Sequence, residues 1–396
     1  MAFLSGSVSF SRFRVTGGSP KRLDENLLEK IRGNRIGSER IMRSNREEIG
    51  WIGGRHLLDC EFDLEKNILL DCLHFGMRID ASRIPPDLLR AYVQMEMDAL
   101  DSGGGNGTRM AQHRRRAREA ADRRVDQEIK EGRYRRLRQF PMLLDTHNDV
   151  LYAGATSPTV HERLHELFKT TFGKGLTPMS AGQRAQDWAE QNHLSRKLEN
   201  HEPARFVPHP SGNGHVPVYW TAHDPACLDD LGNEFLLWLW HHLAERNDTI
   251  RLADDSDAAV VIVRQLVLEC PWAETGKETI TCDGPARLPE SRQAIRSGKL
   301  PRKAGLIVSR QGSQYEFTLQ AESLSISAAT LPKIETNGNG HNGHAHKGRA
   351  NWEERIEQIR HLAETVDLLY ASFLKRRFAS DWSIDAGEIK KWLRSA

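Results

Sequence analysis

The chain has 396 residues, 56 lysines and arginines against 54 acids, and 38% apolar side chains with 31 glycines besides. That length suggests two to three domains able to bury a core, which excludes global disorder, while a net charge of +2 identifies no partner. The longest apolar runs, Phe235–Trp240 and Ala258–Val263, are six residues each; a transmembrane helix needs about twenty, so a membrane protein is excluded.

From the N-terminus, Met1–Phe10 lacks the basic start and apolar core of a signal peptide. Cys60, Cys72, Cys227, Cys270 and Cys282 are odd in number, scattered and never in Cys-x-x-Cys. That spacing argues against a disulfide scaffold or a cysteine zinc site and makes a reducing cytoplasm the expectation. Alternation of Val8, Phe10, Phe13 and Val15 predicts a first strand over Ser7–Val15, with a bulge near Ser11–Arg12 where the phase slips. His56–Phe62 and Leu69–Ile79 read as further strands. Pro85–Leu100 reads as a helix, with Leu88, Leu89, Tyr92, Met95 and Leu100 on one face. Met142–Tyr152 reads as a hairpin turning near Asn148-Asp149. Ser157-Pro158 predicts a capped helix start, followed by the stripe Val160, Leu164, Leu167, Phe168 and Phe172. Phe235–His242 reads as a buried helix whose Trp238 and Trp240 are core residues. Ala258–Leu268 reads as a strand, and Ala304–Ser309 with Gln314–Leu319 as an antiparallel pair. Ile356, Ile359, Ala363, Val366, Tyr370 and Phe373 step by three and four, a helical seam for docking onto the body or a second subunit. Interleaved strands and helices give an α+β class. Asp101–Gly107, Pro203–Pro217 and Asn337–Gly348 have the glycine-, proline- and asparagine-rich composition of loops and linkers.

The strongest charge feature lies in Arg109–Arg138, with twelve cations against Glu119, Asp122, Asp126, Glu128 and Glu131, a local +7. Ala111–Glu131 has no glycine or proline and should be helical, with a thin apolar side of Ala117, Ala121, Val125 and Ile129. Eleven of the twelve cations are arginine, whose planar fork grips phosphate with two bonds. Pairs such as Glu119–Arg123 and Arg118–Asp122 would lace a solvated helix, but they cannot absorb a surplus of seven. Nucleic acid or another phosphate is therefore the expected partner, with docking onto an acidic protein as the rival reading.

His161-Glu162-Arg163-Leu164-His165 is a literal His-Glu-x-x-His, in which His161 and His165 would hold zinc and Glu162 would act as general base. A charged Arg163 inside the motif and the absence of a downstream His-x-x-Gly-x-x-His weigh against that reading. Glu190 is the only acid spaced to serve as a third ligand. Asp145-Thr-His147-Asn-Asp149 reads as a turn rather than a metal cluster. No phosphate-loop, dinucleotide or nucleophile-elbow motif is present.

Four stretches resemble the bacterial recombination-associated protein RdgC family. They are the opening strand at Phe3–Val15; Leu151–Ser157 with the helix after it; Glu234-Phe-Leu-Leu-Trp-Leu-Trp240; and Ile295–Leu306 followed by Tyr315–Leu319. The likeness covers about residues 1–332. It implies an α+β chain of several subdomains with mixed or antiparallel sheets and a helical C-terminus, pairing into a ring-shaped homodimer around a basic hole. It further implies cytoplasmic, nucleoid-associated, sequence-independent binding of single- and double-stranded DNA, restraint of RecA-type recombinases, no cofactor and no catalytic residues. Family listings of an exonuclease find no nuclease motif here. A family stretch thought to face DNA, Lys-x-Gln-Asp-Leu, has its nearest match in Arg264-Gln265-Leu266, one residue shorter and without the Asp; Lys299 and Lys303 match a Gly-Lys run. The expected DNA contacts are Arg114, Arg115, Arg116, Arg118, Arg123, Arg124, Arg133, Arg135, Arg136, Arg138, Arg264, Gln265, Lys299, Arg302 and Lys303. The expected layout is a body over 1–332 with its basic arm at about 109–138, a Gly/Asn/His-rich linker at 333–350 and a helical segment at 351–396. The Cys270–Pro289 stretch is an addition without an assigned role.

Overall fold

The computed structural model describes residues 3–38, 42–44, 47–100, 107–204, 206, 227–271, 276–283, 289–334 and 344–394. The loop stretches 101–106, 207–217 and 337–343 lie outside them, as do 272–275 and 284–288. Among the described residues, all strand pairs are antiparallel and form one continuous path. It runs β11 (Lys277–Cys282), β10 (Asp257–Glu269), β12 (Leu300–Arg310), β13 (Ser313–Gln320), β14 (Ile326–Thr330), β1 (Val8–Val15), β7 (Val150–Ala153), β6 (Arg135–Asp145), β5 (Cys72–Ser82), β3 (Glu47–Ile52), β2 (Met42–Ser44). Short β4 (Ile68–Leu69), β8 (Leu176–Pro178) and β9 (Thr249–Arg251) pair beside it. The α+β class is as expected. No helix of the described residues is long and apolar enough to cross a membrane.

The first strand joins the two halves of this path. Its residues Val8 and Phe10 pair with β14, and Ser11–Arg14 pair with β7. The β7 register is unbroken through Ser11 and Arg12, so the bulge expected there is absent; the shift lies between Val8 and Phe10, against β14. The apolar phase changes because two cores lie on opposite faces. Val8 and Phe10 enter one core, and Phe13 and Val15 enter the other, as the two-residue period of a strand requires. That alternation puts Arg12 and Arg14 on the Phe10 side.

The Phe13 core is covered by α1 (Glu25–Gly33) and α5 (Pro158–Phe172). The α5 stripe is buried as read, with Phe172 partly so, but Ser157 makes no side-chain cap bond. The Phe10 core takes α6 (Ala181–Gln191), α8 (Asp230–Glu245), α10 (His344–Arg377) and α11 (Trp382–Arg394). α8 is buried on all sides over Asp230–His241, including Trp238 and Trp240, because it lies between β12 and α10. A Cβ at Gly232 would stand 1.9 Å from the Ala321 carbonyl oxygen, so only glycine permits this approach. The C-terminal seam is wholly buried within this same core, so it docks within the chain. α10 starts at His344, inside the stretch whose composition suggests a linker.

Three strand and face readings are corrected. His56–Phe62 is a loop: the Asp59 carboxylate accepts from the Arg55 and Glu61 amides and pairs with Lys66, holding a turn that a strand could not make. Leu69–Ile79 is interrupted at Leu70, whose φ of +54° turns β4 tightly into β5. In α3 (Pro86–Leu100) the packed face is Leu88, Leu89, Tyr92 and Val93, while Met95 is exposed.

Candidate nucleic-acid interface

α3 and α4 (Gly107–Lys130) form an antiparallel pair inserted between β5 and β6, whose ends meet where Ser82 pairs with Arg135. The pair has its own small core of Tyr92, Ala121 and Val125, separate from the two main ones. The stripe Ala117, Ala121, Val125 and Ile129 faces inward as read. With every fourth position committed to α3, the remaining circumference of α4 is left for charge.

At the arm's root one buried acid gathers four groups. Glu128 accepts from the Tyr92 hydroxyl at 2.9 Å and the Tyr134 hydroxyl at 2.8 Å. Arg133 and Arg124 lie 3.5 and 3.7 Å from it. The Tyr134 hydrogen bond holds the Glu128 carboxyl below its ordinary pKa, so it is ionised in neutral solution. The Arg124 guanidinium also sits 4.2 Å from the Tyr92 ring centre.

Beyond the root, Arg114, Arg115, Arg116, Arg118, Arg123, Arg124, Arg133, Arg135, Arg136 and Arg138 are all exposed. Arg115 pairs with Glu119, Arg135 pairs with Glu48 and Asp80, and Arg138 lies over Phe140. Among the described residues Arg114, Arg116, Arg118, Arg123, Arg136 and Arg138 have no ion-pair partner. The Glu119–Arg123 and Arg118–Asp122 pairs do not form; Glu119 turns to Arg115 instead. α3 brings Asp87, Glu96 and Asp98 against Arg90, so the surplus over the arm falls from +7 to +5.

The other expected contacts lie elsewhere. Arg264 and Gln265 belong to a bulge of β10, where Arg264 takes φ +56° opposite Gly305, whose absent Cβ leaves room for the Val263 carbonyl. Arg264 is exposed and paired with Glu316, and Lys303 is exposed beside it on β12. Lys299 and Arg302 must be removed from the contact set. Lys299 is buried against Glu278, and Arg302 is held between Glu269 and Glu322. β10 and β6 stand six positions apart in the strand order, about 29 Å along the sheet at 4.8 Å per strand. Arm and bulge thus sit on opposite halves of the strand order, either side of β1.

His161 and His165 do share a helix face, but it lies on the sheet. Both rings meet Phe13 edge-on, at 5.0 and 5.3 Å, and His161 Nε2 is 2.8 Å from the Ala155 carbonyl oxygen. Arg163 pairs with Glu47. Among the described residues no third histidine, cysteine or acid groups with them, and Glu190 is not gathered there. Asp149 has φ +55° in the turn between β6 and β7, as the hairpin reading of that stretch requires. Asp71, Cys72 and Asp145 do converge, a grouping the sequence did not suggest, but the Arg360 guanidinium fills the space between them.

No protein-family model matches the chain, and no curated protein matches it.

Proposed function

We propose that this chain binds DNA through its phosphates, without sequence preference, using the α3–α4 arm, in the manner of the RdgC-like proteins that its sequence resembles. The observation that carries the reading is the set of six exposed arginines on and beside α4 that no acid neutralises among the described residues. Guanidiniums on a helix that buries only an alanine-rich stripe contact phosphate oxygens and carry no base information. Arg264 and Lys303 form a second patch for the same backbone. A homodimer of ring form would bring two arms to one duplex and raise avidity without new contacts. Coverage of DNA would then hinder RecA-type filaments by occupancy in the nucleoid, with no cofactor and no catalytic step.

The test is fluorescence anisotropy with a labelled random-sequence duplex from about 50 to 300 mM salt. Six phosphate contacts give a slope of log K against log salt of about −5.4, unchanged on scrambling the sequence. Neutralising Arg114, Arg115, Arg116 and Arg118 together to glutamine should reduce the slope by about three, since Arg115 is already paired. Binding that survives this change intact overturns the arm assignment.

A further inference from the structure

Towards the β11 end of the sheet, α9 (Pro289–Arg296) sets Ala294 and Ile295 into the Phe10 core and packs against α11. Arg292 and Arg296 stand four positions apart on α9, so one helix face carries both, with Cβ atoms about 5–6 Å apart. They reach consecutive residues of α11. The Arg292 guanidinium lies 5.8 Å from the centre of the Trp392 ring, and Arg296 Nε donates to the Leu393 carbonyl oxygen at 2.5 Å. Two neighbouring guanidiniums are thereby held at one corner of the molecule.

Both side chains are half-buried, and neither is neutralised. Among the described residues Arg292 makes no hydrogen bond or ion pair, and Arg296 makes only the bond to Leu393. Arg292 Nε and Arg296 Nη2 are shut off from solvent without a partner. Such N–H groups of a charged side chain are unfavourable when left unpaired. The acids of these two helices are engaged or turned away. Asp385 and Glu388 of α11 both accept from Arg246. Glu290 stands about 160° round α9 from Arg292 and about 120° from Arg296. In the last turn of α11, Lys391 and Arg394 offset its terminal carbonyls. The corner is therefore positive. A guanidinium has five N–H donors, and the chain uses one donor of the pair. A tetrahedral dianion with oxygens on every side matches two guanidiniums in charge and in acceptors, which a carboxylate does not.

We propose that the α9–α11 corner binds a phosphate group between Arg292 and Arg296. The site stands apart from the DNA reading. Lys303 alternates with Ala304 of the Phe10 core, which puts the Arg264–Lys303 patch across the sheet from α9. The experiment is calorimetric titration of the full chain, at constant ionic strength, with inorganic phosphate, glycerol 3-phosphate and acetate. One saturable phosphate per chain is expected, with acetate at least about tenfold weaker. Tighter binding of glycerol 3-phosphate assigns the ligand as a phosphomonoester; equal or weaker binding assigns free phosphate. Arg292→Met should weaken binding by about tenfold, the loss of one charge-assisted pair. This change removes no hydrogen bond within the chain and keeps an apolar stem on Trp392, so the unfolding temperature without phosphate should hold. Arg292→Gln decides the matter if the Met variant fails to fold. Phosphate held by the arm instead would be indifferent to either change. Excess random-sequence duplex should leave the phosphate bound. No saturable binding, equal binding of acetate, unchanged affinity in the Arg292 variants, or displacement by duplex overturns the proposal.

Discussion

Arg360 gathers four partners, Asp145, Asp71, Cys72 and Glu357. Its Nε and Nη2 donate to the fully buried Asp145 at 2.8 and 2.9 Å, and Nη2 also reaches Asp71 and the Cys72 sulfur. Burial pushes the Cys72 thiol well above its ordinary pKa, so it stays protonated and inert. Arg360→Met strands Asp145 as a buried unpaired charge and should cost about 3–5 kcal/mol by chemical denaturation; adding Asp145→Asn should recover part of that loss. Gly232→Ala should also destabilise, by about 1–3 kcal/mol, because its methyl would overlap the Ala321 carbonyl. How much a sequence reveals at this scale depends on where the partner lies. The alanines and Val125 of α4 are readable because their spacing is local. Lys299 and Arg302 read as free cations because their acids, Glu278, Glu269 and Glu322, come from other strands and turns.

Among the elements, the α3–α4 arm is the most separable. It has its own core, and its root closes on a directly paired Ser82 and Arg135. Replacing residues 84–133 by a two-residue Asn-Gly turn should therefore leave the body's unfolding temperature nearly unchanged and weaken DNA binding sharply, leaving only the contacts of Arg136, Arg138 and the Arg264–Lys303 patch. A body that unfolds, or a shortened chain that binds duplex as tightly as the full chain at about 50 mM salt, contradicts this. The helix of the arm is legible from alanine, arginine and glutamate without glycine or proline. Its partner's acids are legible too, but not that they lie alongside, since antiparallel packing of α3 is a tertiary fact. The His56–Phe62 loop misreads as a strand for a related reason. Apolar content there resembles a strand, while one side chain, Asp59, redirects the backbone. The slip in β1 is likewise a true sequence signal with a different cause, a change of core rather than a bulge.

For the whole molecule, stability should depend on acid through a buried imidazole. His74 is 2% exposed on β5, its Nε2 has no partner, and burial holds its pKa at about 4. Asp59 and Lys66 act on it weakly and in opposite senses. The folded value lies below the unfolded value of about 6.5, so the contribution is intact above that pH and is lost as pH falls towards 4. The loss reaches about 3 kcal/mol there. Urea midpoints at pH 7 and pH 4.5 should converge in His74→Phe relative to the unaltered chain. The α+β class, the long C-terminal helix and most strands follow from periodicity. The order of the strands does not, because β1 is completed by residues from the far end of the chain. Arg12 bonds to Asp367, 355 positions away, and Val8 pairs with Ala329. At about 5–20 residues per second of synthesis, the first strand made waits roughly twenty to seventy seconds for its last partner to leave the ribosome. Until then one edge of that strand and the Phe10 face are open to other chains, so this fold needs protection during translation, and a stop codon ahead of α10 harms the beginning of the protein as much as its end.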